Sequence, residues 1–226
     1  MMHWLTKNPI AHRGLHNNIT VFENTKESFQ AAIVNNFAIE CDVSLTLDYE
    51  VAVFHDKTLK RLCQVDADVS SLTMNELRKQ SIKGSSSNII SLDEMLHVVN
   101  ANVPIIVEIK GNFTPFIEER IQEIIRSYHG PIALKSFNLE SIKWLIKFLP
   151  FIPKGLVIDN KNNNSEFVLD MDIDFVSCDV NIIESELIAK LKAKQIPVIT
   201  WTINSKDKQK KAANFADNII FENIEP

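Results

Sequence analysis

Two histidines and an arginine lie where short apolar runs of this 226-residue sequence end. His12 and Arg13 follow the run "NPIA", and His55 follows "EVAVF". Imidazole titrates near neutral pH, so two histidines around one substrate can serve as acid and base in turn. The planar guanidinium of arginine matches the oxygens of a phosphate group. These residues favour acid–base chemistry on a phosphate ester, with His12 and His55 catalytic and Arg13 binding the substrate.

Two further apolar runs contain closely spaced charged residues. Glu40 and Asp42 lie two apart in "FAIECDVSL", and Glu108 and Lys110 lie two apart in "VPIIVEIK". Alternate residues of a strand share a face, so each pair points to one side. If the three carboxylates converge, protonation or a cation must neutralise them. Oxygen donors favour one hard divalent ion, Mg²⁺ or Ca²⁺, with Mn²⁺ also suitable, which predicts that Glu40, Asp42 and Glu108 bind a metal.

The local charge around such an ion indicates what else binds there. Three carboxylates, one divalent ion, Arg13 and Lys110 sum to about +1 when the histidines are neutral. A phosphodiester monoanion would neutralise that charge, so Lys110 is predicted to contact the substrate; an ion pair within the protein is the alternative. Trp201 ends the run "IPVITW". Its ring is expected either to pack in the core or to bind the organic group of the substrate.

Structural roles are the alternative for several of these residues. Burying an unpaired carboxylate such as Glu40 among apolar neighbours would cost several kcal/mol, on the order of the penalty for any charge taken out of water. A lone histidine after a strand is commonly structural, and only a shared site with bound phosphate favours catalysis. Of the histidines outside this context, His16 is the one close in sequence to the site; the full set is His3, His16, His97 and His129.

The composition excludes several classes of protein. The chain is 45% apolar with a formal net charge of −5, and its lysines are scattered, so nonspecific nucleic-acid binding is not expected. The opening "MMHWLTKNPI" has too short an apolar stretch for a signal peptide, and no run of 18 apolar residues occurs. Its three cysteines have no CxxC spacing. We expect a cytoplasmic protein with reduced thiols, no stable membrane insertion and no indicated oligomeric state.

Short apolar runs typical of strands alternate with amphipathic runs typical of helices. The eight strand runs are residues 8–12, 37–45, 103–110, 131–137, 154–159, 174–179, 196–201 and 217–222. The helical runs are residues 24–36, 92–100, 115–128, 139–148, 184–194 and 206–214, with Ser91 and Asn138 as N-caps. This alternation predicts parallel strands closed into one (β/α)₈ barrel, the fold known as the TIM barrel. An open doubly wound sheet is the competitor, but "AHRGLHN" is no dinucleotide fingerprint.

One segment interrupts the alternation. The run "EVAVFHD" (50–56) follows the second strand after a connection too short for a helix, so it is expected to pair antiparallel with that strand. Residues 56–90 then form an insertion with one helix at about 74–80. No other shift in composition divides the chain. We therefore predict a single domain over residues 1–226 with this insertion after the second strand.

Several motifs together resemble those of the glycerophosphodiester phosphodiesterase family. They are "AHRG", "ENTKESFQAA", "IECDVSLTLD", "VAVFHDKTLKRL", "VEIKG", "KSFN" and "ITWTIN", in the family's order and spacing across residues 10–222. The resemblance implies a TIM barrel that hydrolyses glycerophosphodiesters to glycerol 3-phosphate and an alcohol with a divalent metal. It also implies an acid–base pair of His12 and His55 and a phosphate-binding Arg13. Glu23 and Asn24 match a motif that shapes the loop after the first strand.

The end of the chain departs from the family pattern. Members commonly finish with a "DGI-x-TD-x-P" run, whereas this chain has Asn218 for the glycine, Phe221 for the threonine and Glu222 for the aspartate. We expect these changes to alter the mouth of the last strand and the alcohol specificity, and to leave the chemistry untouched. Alternative functions are cleavage of lysophospholipid or sphingolipid headgroups, with residues 144–158 as the apolar entrance, and noncatalytic phosphate binding.

Overall fold

A computed structural model describes residues 3–161 and 166–226. Its eight parallel strands close into a barrel through pairing of the first strand with both the second and the last. The barrel strands are β1 (Ile10–Ala11), β2 (Ala38–Leu45), β4 (Ile105–Ile109), β5 (Ile132–Ser136), β6 (Lys154–Ile158), β7 (Phe175–Asp179), β8 (Val198–Ile203) and β9 (Asn218–Phe221). The predicted (β/α)₈ barrel is confirmed, and one further strand, β3 (Val51–Val53), lies outside the ring.

Helices connect most of the barrel strands. They are α1 (Lys26–Val34), α4 (Leu92–Val99), α5 (Pro115–Ile125), α6 (Leu139–Phe148), α7 (Glu186–Ala193) and α8 (Lys206–Phe215). Both predicted caps are present: the Ser91 hydroxyl accepts the backbone N–H of Glu94, and the Asn138 side chain accepts that of Glu140. In the described part of the chain, no helix is long and apolar enough to cross a membrane.

The inserted segment after β2 folds against the outside of the barrel. As predicted, β3 runs antiparallel to β2, with Val43 opposite Val53. Two short helices follow, α2 (Lys60–Cys63) and α3 (Met74–Leu77), which cover a small apolar core that includes Phe54, Leu59 and Leu77. The α3 helix is shorter than expected and α2 was not expected, because a single turn carries no helical periodicity in sequence.

The interior of the barrel is filled by side chains. Ile10, Ile106, Ile199 and Phe175 are fully buried within one cluster. Gly155 of β6 is needed there, since a Cβ at that position would lie 2.3 Å from the Phe175 ring. A packed interior leaves the C-terminal ends of the strands as the place for a site. The predicted site residues lie on or just after those ends.

Candidate active site

Three buried carboxylates meet at the C-terminal end of two neighbouring strands. Glu40 and Asp42 lie on β2 and Glu108 on β4, with Asp42 opposite Glu108 in the parallel register. None is more than 5% exposed. One oxygen from each carboxylate lies within 4.8 Å of the others. The convergence that alternate strand positions indicate is therefore found in the structure.

Two lysines contact this acidic cluster. Lys135 of β5 is buried and places its Nζ 3.0 Å from Glu40 Oε1 and 2.9 Å from Glu108 Oε2. Lys110 places its Nζ 2.7 Å from Glu108 Oε1. Burial alone would lower the pKa of Lys135, but the Glu108 and Glu40 carboxylates outweigh it and raise that pKa. Lys135 is thus a permanent counter-charge, which the sequence analysis did not single out.

Arg13 lies on the other side of the cluster. Its Nε is 3.2 Å from Asp42 Oδ2, and its Nη1 donates to Glu23 Oε1 over 2.7 Å. The Asn24 side chain donates to the same Asp42 oxygen over 3.1 Å. Gly14, at φ +77°, follows at once, where a Cβ would lie 2.8 Å from the backbone of Ser28. Glu23 and Asn24, both buried, thus contact Arg13 and Asp42 from the loop after β1.

His12 is held by a residue from the far end of the chain. Its Nδ1 lies 2.8 Å from Glu222 Oε2, just after β9. This hydrogen bond, more than burial, sets the pKa of Glu222, which is lowered. The side chain of Glu222 therefore contacts a predicted site residue, and a carboxylate that binds Nδ1 fixes the orientation of the imidazole. That the altered chain end leaves the chemistry untouched stays a prediction.

The side chains of the other two departures lie away from the mouth. Asn218 begins β9 at the opposite end of the barrel, and Phe221 is buried against Phe37 with ring centroids 5.0 Å apart. In the described part of the chain, neither side chain lines the cavity beside the predicted site. Of the three positions, Glu222 alone contacts a predicted site residue through its side chain, while the backbone carbonyl of Phe221 accepts the N–H of His12 over 2.9 Å.

His55 is oriented in a parallel way. Its Nδ1 lies 2.7 Å from Asp56 Oδ1, and Arg61 donates to Asp56 Oδ2 over 2.6 Å. Arg61 also donates to Glu23 Oε2 over 2.8 Å, which joins the His55 side of the site to Arg13. Burial would raise the pKa of Glu23, yet Arg61 and Arg13 hold it well below its usual range. Asp56 directly follows His55 in the predicted strand run, whereas Arg61 was not predicted, because its contact with Glu23 spans 38 positions of sequence.

An aromatic pair and a cavity flank the cluster. The ring of Trp201 packs edge-to-face on Phe137 at 5.8 Å between centroids, and Lys110 Nζ lies 5.9 Å from the centroid of Phe137. The indole N–H of Trp201 is buried without a hydrogen-bond partner. His55 and Lys110 both line a cavity of about 540 Å³ on this side. Trp201 therefore takes part in a wall beside Lys110 and is also partly packed against the barrel core.

The donor set fits a hard divalent cation. Burial together with Glu40 and Glu108 raises the pKa of Asp42. Additional positive charge beside Asp42 would therefore stabilise its carboxylate, even with the lysines present. Carboxylate oxygens suit Mg²⁺ and Ca²⁺, whose ligands are oxygens. With Lys135 counted, an ion would bring the local charge to about +2 rather than about +1. Such a site attracts an anionic substrate.

Buried carboxylates, cationic side chains and two oriented histidines lie at the mouth of a parallel barrel. This arrangement is typical of an enzyme site for an anionic ester. The sequence matches the Glycerophosphoryl diester phosphodiesterase family over residues 12–224, and the chain belongs to that family. A glycerophosphodiester phosphodiesterase of Bacillus altitudinis is 27% identical over 93% of this chain and 92% of its own.

Solved structures of similar proteins share the fold. A phosphodiesterase of Oleispira antarctica, in complex with the product sn-glycerol-3-phosphate, matches with a TM-score of 0.87 at 20% identity over 98% of this chain and 94% of that one. A glycerophosphodiester phosphodiesterase of Thermotoga maritima matches with a TM-score of 0.79 at 26% identity over 95% and 94%. The resemblance drawn from the motifs is therefore confirmed.

Proposed function

We propose that this protein is a phosphoric diester hydrolase that converts glycerophosphodiesters to glycerol 3-phosphate and an alcohol with one divalent cation. The observation that carries the proposal is the convergence of Glu40, Asp42 and Glu108 beside Arg13 and Lys110. This arrangement suits a cation and an anionic ester together. Family membership and the product bound to the Oleispira relative support the same reaction.

Glu40, Asp42 and Glu108 would hold the cation, which when bound polarises the phosphoryl oxygens. Arg13 binds the nonbridging oxygens and stabilises the negative charge that develops in the transition state. Its guanidinium keeps its position because Glu23 and Asp42 fix it. Lys110 is only part-buried and adds a second positive charge on the side of the cavity. Lys135, fully enclosed, keeps the carboxylates together.

The two histidines move the protons. Because the Nδ1 of His12 is bonded to Glu222 and the Nδ1 of His55 to Asp56, each imidazole has Nε2 left for the substrate. One histidine removes a proton from the nucleophile and the other protonates the leaving alkoxide. The nucleophile is either water or the glycerol 2-hydroxyl. Attack by the 2-hydroxyl would give a transient cyclic phosphate.

Phosphorus NMR of reactions with several glycerophosphodiesters tests the proposal. We expect glycerol 3-phosphate as the product, loss of turnover with a chelator, and recovery with Mg²⁺, Ca²⁺ or Mn²⁺. A cyclic phosphate signal would identify the 2-hydroxyl as nucleophile. Absence of product with every diester and every metal would contradict the function.

Variants His12→Asn and His55→Asn test the assigned roles. Loss of general acid or base catalysis lowers the rate about 10²- to 10⁴-fold. The exposed His129 supplies the matched control, and His129→Asn is expected to keep the wild-type rate. Circular dichroism checks that each variant is folded. Near-normal turnover of either site variant would overturn the acid–base assignment.

Lysophospholipid cleavage is a second candidate with one observation in its favour. The cavity beside His55 and Lys110 includes the apolar residues Leu45, Val69 and Ile117, which suit a hydrocarbon chain. The entrance predicted at residues 144–158 is wrong, since residues 144–153 end α6 and lead into β6 at the opposite end of the barrel from the site, and residues 154–158 are the buried strand β6 itself. Rates on lysolipid micelles, compared with rates on water-soluble diesters, distinguish the two substrate classes.

A further inference from the structure

A histidine that the proposed reaction does not use lies beside His12. His16 is in the loop between β1 and α1, and its side chain is 2% exposed. Both of its ring nitrogens are buried and have no hydrogen-bond partner among the residues that the structure describes. Leaving such groups unpaired costs free energy. A buried imidazole whose nitrogens are unpaired can coordinate a metal ion, and its surroundings indicate which ion.

The neighbours of His16 are metal-binding groups. Its Nε2 lies 3.8 Å from Glu222 Oε2, the oxygen that also contacts His12 Nδ1 at 2.8 Å. One ligand atom from each of the three residues lies within 4.8 Å of the other two. His12 and Glu222 are 13% and 22% exposed in their side chains, so the cluster is reachable from solvent. His16, in turn, forms its buried wall.

The loop that carries His16 is held firmly. The N–H of Leu15 donates to the carbonyl of Ser28 over 2.9 Å, and that of Gly14 donates to the carbonyl of Glu40 over 3.2 Å. Asn17 donates through its backbone to Val21 over 3.0 Å. The three ligand-bearing positions are thus fixed by β1, β9 and this loop before any ion arrives. Preorganised ligands lose little freedom on binding.

We propose that His12, His16 and Glu222 form a second cation site, selective for Zn²⁺ and similar transition metals over Mg²⁺ and Ca²⁺. Two imidazoles and one carboxylate, with a fourth position open to water, are a donor set that zinc uses. Mg²⁺ and Ca²⁺ require oxygen ligands and belong to the cluster of Glu40, Asp42 and Glu108 instead. Burial lowers the pKa of His16, which keeps it neutral and able to coordinate.

Zinc at this site would inhibit the enzyme, a consequence that rests on the proposed function. When His12 Nδ1–H donates to Glu222, the lone pair of Nε2 is free to accept a proton. When Nδ1 binds zinc instead, the ring proton is on Nε2 and no lone pair remains there. His12 can then no longer act as a base. The site is therefore a regulatory or inhibitory zinc site next to the catalytic centre.

Zinc binding is measured directly by calorimetry. The protein is first stripped of metal and then kept in excess Ca²⁺, which fills the oxygen cluster. We expect one Zn²⁺ per chain, and at least a tenfold weaker affinity in His16→Gln. The matched control His129→Gln, which changes an exposed histidine, keeps the wild-type affinity. An unchanged affinity in His16→Gln would overturn the site.

Zinc K-edge X-ray absorption of the wild-type protein gives a second readout that needs no variant. We expect two imidazole ligands and a short Zn–O contact; a spectrum with oxygen ligands alone would contradict the proposal. Inhibition assays then test the predicted inhibition: the wild-type enzyme is expected to lose turnover as zinc binds. If no diester is hydrolysed under any condition, the proposed function fails, while the calorimetry and absorption results still decide the zinc site.

Discussion

Lys135 determines how the acidic cluster is stable without a metal. It bridges Glu40 and Glu108, and its removal would leave buried carboxylates partly uncompensated. Breaking a buried charge cluster in this way costs about 3–5 kcal/mol. We predict that Lys135→Met loses about this much stability, and that a saturating divalent cation restores more of the free energy of unfolding than it adds to wild type. Urea unfolding with a chelator and with added Ca²⁺ measures both quantities.

A second buried lysine supplies the control. Lys154 of β6 is as enclosed as Lys135, but it contacts Asp174 and the carbonyl of Pro150, away from the cluster. Lys154→Met is expected to lose stability that Ca²⁺ does not restore beyond the wild-type gain. Equal restoration in the two variants would show that Lys135 has no special relation to the cation site.

Individual residues were predictable where local pattern carries the information. Glu40, Asp42 and Glu108 are carboxylates in apolar strands, and period-two alternation places them on one face. Lys135 has the same signature in "IALKSF", but a lysine in a strand is ordinarily an exposed residue. Glu222 is 210 positions from His12, so only barrel closure brings them together. The structure was needed for pairings of this second kind.

The contact between α5 and α6 contains a buried carboxyl group that opposes stability. Glu118 accepts a hydrogen bond from Ser141 over 2.5 Å, while its other oxygen is buried and has no partner within residues 3–161 and 166–226. Burial raises the pKa of Glu118 in the folded state. A raised pKa means that the folded chain holds its proton more tightly, so stability present at low pH is lost as pH rises through the folded-state value.

We predict that Glu118→Gln removes this pH dependence. The stability of the variant relative to wild type should increase between about pH 4 and about pH 7, by about 1 kcal/mol, the scale of one poorly satisfied buried group. Urea unfolding across that range measures it. Glu123, further along α5, is exposed, so Glu123→Gln is expected to follow the wild-type curve. A constant difference between Glu118→Gln and wild type at all pH values would contradict the prediction.

Long elements were predicted better than short ones. The apolar runs and the capping residues Ser91 and Asn138 define α4 and α6 closely, because side-chain caps fix where a helix can begin. By contrast, β1 contains only Ile10 and Ala11 although a longer run was expected. The N–H of His12 still donates to the carbonyl of Phe221, but its side chain is held by Glu222 and Arg13 turns at φ 56°, so the strand ends there. The contacts that hold the site residues in place therefore end β1 early.

Closure of the whole barrel depends on the seam between β1 and β9. Asn218, which stands where the family commonly has glycine, donates through Nδ2 to the carbonyls of Leu5 and Asn8, both over 2.8 Å. These bonds join the last strand to the segment before β1, where Leu5 is buried among the side chains that fill the barrel. The same seam brings Glu222 to His12.

We predict that Asn218→Ala lowers the free energy of unfolding by about 1–3 kcal/mol, because two hydrogen bonds are lost and two carbonyls lose their partner. Chemical denaturation measures the loss. Asn214 is an exposed residue of α8, and Asn214→Ala should keep or slightly raise stability, since alanine is the better helix former. If Asn218→Ala unfolds at the wild-type urea concentration, strand pairing between β1, β2 and β9 closes the barrel without help from the Asn218 side chain.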